Sequence, residues 1–287
     1  MNNVLITGGT DGIGRAVALD SLRKGHSVLV IGNTPEKGND FLARAADLGA
    51  ADRAAFLRAD LRLVAENGRV LDEVRSRLDR LDRLVLCAQH YRTRPVRTAE
   101  GVEENFALSY LSRFVLSHGL LDLLRASDDP VVMNVCGTGT PIGSINWDDL
   151  AFERTRGGFK ALMQASRASD LLGVAFAERA EGVRCVLYNP DFVRTNLQRG
   201  LPQPWKALAV TLVTVLGTSL EKGVVPLLHR LENPPPEPLS AFRAHKRVDL
   251  ASRAFARCYD PADARRLHLA TTAVLRDLGR ADLSPDR

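Results

Sequence analysis

The chain has 287 residues, with 39 Lys and Arg against 34 Asp and Glu, a net charge of +5, 45% hydrophobic and 25% charged residues. That balance excludes a disordered chain and a low-complexity fibre, and the length suits a single domain over 1–287. No apolar run reaches the roughly 20 residues that span a bilayer, and the dispersed charge lacks the basic runs of a nucleic-acid binder.

MNNVLITGG enters a strand at once, without a basic leader, so a cytoplasmic protein is expected. The cysteines Cys87, Cys136, Cys185 and Cys258 form no CxxC pair, so neither a structural metal nor a disulfide framework is expected.

Apolar runs alternate with helical periodicity along the chain. Strands are predicted at 4–7, 27–32, 54–58, 83–88, 130–136 and 182–188. Helices are predicted at 12–24, 36–48, 64–79, 102–125 and 160–180. Continuous apolar strands alternating with helices imply a Rossmann-type, doubly wound parallel α/β sheet. After the sixth strand, 202–217 reads as a very apolar helix, either core or a lid from Trp205 to Leu216, inside a substrate segment 202–232. Helix 219–231, a proline-rich loop at 233–238 and a last helix at 261–278 follow, the final two within a tail 239–287.

The first strand runs directly into GGTDGIG. Gly8, Gly12 and Gly14, with Thr10 and Ile13, form a loop where the backbone can approach a pyrophosphate at a helix N-terminus. After the second strand stands Asn33, neither the acidic residue that favours NAD nor the basic one that favours NADP. Arg15 is within sequence reach of a 2′-phosphate or faces solvent. Asp60-Leu61 ends the third strand at the adenine edge.

These motifs resemble the short-chain dehydrogenase/reductase superfamily, and within it the retinol-dehydrogenase-like branch. TGGTDGIG is similar to the family's TGxxxGIG loop, GVEENFALSYLSRFVL to its active-site helix, and INWDDLAF and NPDFVRTNL to segments of that branch. The resemblance implies an NAD(P)(H) cofactor, no metal, a small-molecule substrate, and a homo-oligomer formed through helices 102–125 and 160–180. It also implies a catalytic Asn, Ser, Tyr and Lys.

Each of those four positions departs here. They align with Ser109, Gly137, Met163 and Arg167; a register slipped by one residue gives Leu162 and Ser166 for the last two. No Tyr lies between Tyr110 and Tyr188. Reducing a carbonyl needs a proton donor, Met163 cannot serve, and Arg167 stays protonated, although it could still hold a cofactor ribose.

Three functions fit. The first is an atypical enzyme of this fold carrying out dehydration, cyclisation or isomerisation of a small, largely apolar molecule. Its acid/base group would come from Asp191, Tyr188, His90 or Cys136, all near the carboxyl ends of strands. The second is an NAD(P)H-dependent oxidoreductase with a relocated proton donor. The third is a non-catalytic nucleotide- or partner-binding protein. Only six of the basic residues are Lys, an Arg bias that suggests biosynthesis in secondary metabolism.

Overall fold

The computed structural model describes residues 1–140, 142–191 and 219–285. The expected apolar helix 202–217 and Arg194 lie outside them. Among the described residues one sheet of eight strands runs in the order β3-β2-β1-β4-β5-β6-β7-β8. The strands are β1 (Asn3–Thr7), β2 (Ser27–Gly32), β3 (Ala54–Arg58), β4 (Arg83–Leu86), β5 (Val131–Val135), β6 (Arg184–Asn189), β7 (Leu239–Arg243) and β8 (Lys246–Arg247). All pair in parallel except β7 with β8.

Alternate residues of each strand serve opposite faces of the sheet. Val186 and Tyr188 belong to the core on the side of α1 (Gly12–Arg23) and α2 (Pro35–Asp47), whereas Cys185 and Leu187 belong to the core on the opposite side, with α3 (Val64–Arg77) and the later helices. Chain order reverses between β1 and β4, and the carboxyl ends of the strands open there into a crevice.

Four corrections follow. The expected helix 102–125 is broken: α4 (Glu104–Phe106) passes through a π turn (Ala107–Leu111) into α5 (Ser112–Gly119) and α6 (Leu121–Arg125). The tail contributes β7 and β8 as well as the expected last helix. The described end of the substrate segment is no lid: α8 (Leu220–Glu232) buries Val224, Leu227 and Leu231 in the core, and Arg83 Nε donates to Leu231 O at 3.1 Å.

The fourth concerns assembly. The helix α7 (Phe159–Arg179) and the 104–119 stretch are covered within the chain by α9 (Pro261–Asp277). Tyr110 Oη lies 2.7 Å from Thr271 Oγ1, and the Phe114 ring sits 5.3 Å from that of His268. The face through which pairing was expected is therefore occupied.

Candidate active site

A cleft of about 1050 Å³ runs along the carboxyl ends of β1, β2, β4, β5 and β6. Gly8, Thr10, Gly12, Ile13 and Gly14 line one end, as expected. Gly8 has φ +66°, and a Cβ there would meet the Ala88 backbone at 2.9 Å. A Cβ on Gly14 would drive into the Gly8 carbonyl. Only glycine leaves the loop this close to β4, and the resulting cradle faces the first turn of α1, which carries no acidic residue. Asp11 caps α1 through Gly12 N at 2.8 Å and pairs with Lys37 Nζ. These features fit the pyrophosphate of a dinucleotide.

Asn33, Thr34 and Lys37 line the cleft beside this loop, but Arg15 does not; its guanidinium holds Asp40 at 3.1 Å. Asp60 and Leu61 close the adenine end. Arg62 grips the Asp60 carboxylate at 2.8 and 2.6 Å and holds it below the usual carboxylate range. Arg62 also pairs with buried Glu104, which Arg92 approaches at 3.1 Å. His90 joins this group, 3.6 Å from Glu104, and burial lowers its pKa. It is a neutral imidazole at the adenine end, away from the expected acid/base position.

At the other end stand Ser109, Arg113, Cys136, Gly137, Asn189 and Asp191. Burial pushes the Cys136 thiol up to about 12, so it carries no thiolate near neutrality. Asp191 adopts φ +54° and pairs with Arg243 Nε at 2.5 Å, a partner supplied by the unexpected β7. Tyr188 is absent from the cleft: its ring is fully buried in the core under α1 and α8, and burial pushes its hydroxyl up to about 12. The strand's two-residue period sends it to the wrong face for an acid/base role.

The helix α7 carries the family positions of both registers. Leu162, Met163, Ala165, Ser166 and Ser169 face the cleft. Arg167, expected to hold a ribose, is buried and turned away; its Nε lies 3.4 Å from Gly143 O, and its Nη1 3.9 Å from Asp170. Of the two registers, Leu162, Met163 and Ser166 stand on the cleft wall and Arg167 does not. Ser109 sits inside the π turn, and its carbonyl accepts from Ser169 Oγ at 3.2 Å. The Ser109 hydroxyl is buried without a partner among the described residues.

Ser166 was reached through the family match; Tyr91 and Arg113, also on the cleft, carry no motif. Ser166 fills the space above Gly137. Tyr91 lines the cleft from the loop after β4. Arg113, fully buried, donates to Val135 O at 2.7 Å, to Ala88 O at 3.2 Å and to Asn134 Oδ1, and among the described residues no carboxylate pairs with it. An Arg three residues beyond Tyr110 in an apolar helix was the available signal.

The comparisons agree with this architecture. The family model described as short chain dehydrogenase matches residues 2–204. Human polyprenol dehydrogenase is 30% identical over 68% of this chain, and human retinol dehydrogenase 14 is 30% identical over 70%. The chain spans 62% and 64% of their lengths, under two thirds of each. A short-chain dehydrogenase from Sphingobium yanoikuyae, solved in complex with NADPH, superposes with a TM-score of 0.63 at 21% identity, covering 94% of this chain and 95% of that one. No helix among the described residues is long and apolar enough to cross a membrane. Glycine loop, strand order and matched length together make this chain a member of the short chain dehydrogenase family.

Proposed function

We propose that the protein is an NADP(H)-dependent oxidoreductase acting on the carbonyl or hydroxyl of a small, largely apolar molecule, with its proton donor relocated from the family's usual helix. The observation that carries this reading is the continuity of one cleft from the intact glycine cradle to the wall of Cys136, Leu162 and Met163. Relatives named for retinol and polyprenol, and a structural neighbour holding NADPH, support the substrate class and cofactor. Neutral Asn33 and Thr34 beside Lys37 favour a 2′-phosphate over a bare ribose.

The glycine loop and α1 N-terminus would hold the pyrophosphate, and Asp191 and Asn189 would border the nicotinamide. When bound, the reduced cofactor supplies a hydride to the carbonyl carbon. The apolar wall from Leu162 and Met163 excludes water from the reacting carbon and orients an apolar substrate.

A second reading, redox-neutral dehydration, cyclisation or isomerisation in secondary metabolism, is favoured by one observation. The cleft face of α7 offers Leu162, Met163 and Ser166 and carries neither a Tyr nor a Lys for hydride transfer. In that chemistry Asp191 is the acid/base, and Asp191→Asn abolishes turnover while leaving the fold intact.

The deciding experiment incubates the protein with NADPH and apolar aldehydes and ketones and follows nicotinamide absorbance and product mass. Stoichiometric NADPH loss with alcohol formation supports the oxidoreductase; product without NADPH loss supports the second reading. Tight NADPH binding with no product from any substrate would leave a nucleotide-binding protein.

A further inference from the structure

The loop after β4 carries Tyr91 to the wall of the cleft, and its position is built in. Buried Asn105 grips the backbone of the next residue from both sides: Arg92 N donates to Asn105 Oδ1 at 3.1 Å, and Asn105 Nδ2 donates to Arg92 O at 2.9 Å. Asn105 is in turn held by Glu103 Oε1 at 2.9 Å, which also accepts from Gly158 N at 3.1 Å. Thr93 O accepts from Phe159 N at 3.2 Å, at the start of α7. Three hydrogen bonds, two on Arg92 and one on Thr93, thus hold this loop against the two helices that line the cleft.

Arg113 lines the same cleft; no carboxylate offsets its charge among the described residues, and its Nε has no partner there. Burying an unpaired cation is costly, and its field acts on whatever acid faces the same space. Cys136, Cys87 and Tyr91 are within its electrostatic reach, and all three line the cleft. Of the chain's four tyrosines, Tyr110 and Tyr188 are fully buried in the core, Tyr259 bonds Thr138 Oγ1 at 2.7 Å, and none of the three lines the cleft.

We propose that Tyr91 is the relocated proton donor of the oxidoreductase reading, on which this assignment rests, and that Arg113 is the positioning charge that stabilises its phenolate. In carbonyl reduction the hydride and its electron pair go to the carbonyl carbon, and the Tyr91 hydroxyl proton goes to the carbonyl oxygen. The products are the alcohol, the oxidised nicotinamide and a Tyr91 phenolate, which Arg113 stabilises until solvent returns the proton. Burial raises the Tyr91 phenol while Arg113 lowers it and Cys136 raises it. The cation therefore does for Tyr91 what a neighbouring cation does for any buried acid. His90 and Arg92 flank it in sequence but engage Glu104.

The test compares the full-length protein with Tyr91→Phe in two measurements. In a phenolate-absorbance titration, the first phenolate to appear with rising pH should be absent from Tyr91→Phe, and saturating NADP⁺ should move it to lower pH in the unmutated protein. A first phenolate common to both proteins, or unmoved by bound NADP⁺, overturns the assignment. In NADPH-dependent reduction of decanal or acetophenone, Tyr91→Phe should lose about 10²–10⁴ in kcat at an unchanged NADPH Kd; a loss below about threefold overturns it. A protein that binds NADPH but reduces neither carbonyl overturns the functional reading instead, and the titration alone then decides Tyr91.

Discussion

Ser166 Oγ occupies the volume that a Cβ on Gly137 would need, while Ser166 Cβ stands off at 3.4 Å, an ordinary contact. The hydroxyl from α7 has thus replaced, in space, the side chain that β5 lacks. Gly137→Ala should cost about 1–3 kcal/mol by overpacking, toward the lower figure because the Ser166 hydroxyl can turn to another rotamer. In a Ser166→Ala background the same change should cost less than about 1 kcal/mol. Denaturant unfolding of the four proteins gives the coupling. Equal costs in both backgrounds would mean that the two positions do not share this space.

Lys37 links the cofactor reading to a measurement of specificity. Its ammonium pairs with Asp11 at the mouth of the glycine loop and lines the cleft next to Asn33 and Thr34. A charged hydrogen bond to a 2′-phosphate contributes about 1.5–3 kcal/mol. Lys37→Ala should therefore raise the NADPH Kd about tenfold or more and leave the NADH Kd within about twofold, read by nicotinamide fluorescence. An equal loss for both cofactors would reduce Lys37 to a support for the Asp11 cap.

Asp170 lies behind the cleft, 1% exposed, and burial raises its carboxyl to about 7 against the pull of the Thr138 hydroxyl and of Arg167. The folded value lies above the ordinary 3.8. Between those two pH values the native state keeps a proton that the unfolded chain has released. Stability should therefore fall as pH rises through that window and level off above about 7, with a total on the order of 4 kcal/mol. Asp170→Asn should remove this fall, so the two stability curves, from urea unfolding, diverge as pH rises. Parallel curves would mean that Asp170 is ionised throughout.

The fold was legible because the strands are continuous apolar runs and the glycine loop sits between the first strand and first helix, where the fold needs it. β7 escaped notice because LSAFR mixes Ser and Arg into five residues and follows a proline-rich loop. The π turn escaped because ALSYL carries no residue that would mark an extra backbone hydrogen-bond step. Tyr188 stood next to the right strand end, yet a two-residue period decides its face, and it belongs to the core. Tyr91 had no motif at all; Asn105 and Glu103, distant in sequence, place it.

The rotation of α7 separates two residues that the family match sets side by side. Ser166-Arg167 imitates the family's Ser-Lys pair, but successive residues on a helix point about 100° apart, so only the helix's rotation separates cleft from core. Ser166 faces the cleft and Arg167 faces Asp170 and Gly143. Cysteine labelling can read this rotation because the background is quiet. Burial holds the Cys87, Cys136 and Cys185 thiols up at about 12, and Cys258 is also buried. Ser166→Cys should react with a thiol reagent at least about tenfold faster than the unmutated protein, and saturating NADPH should protect it. Arg167→Cys, checked for folding by circular dichroism, should label no faster than background with or without NADPH. NADPH-sensitive labelling of Arg167→Cys would return that position to the cleft wall, and the Met163–Arg167 register with it.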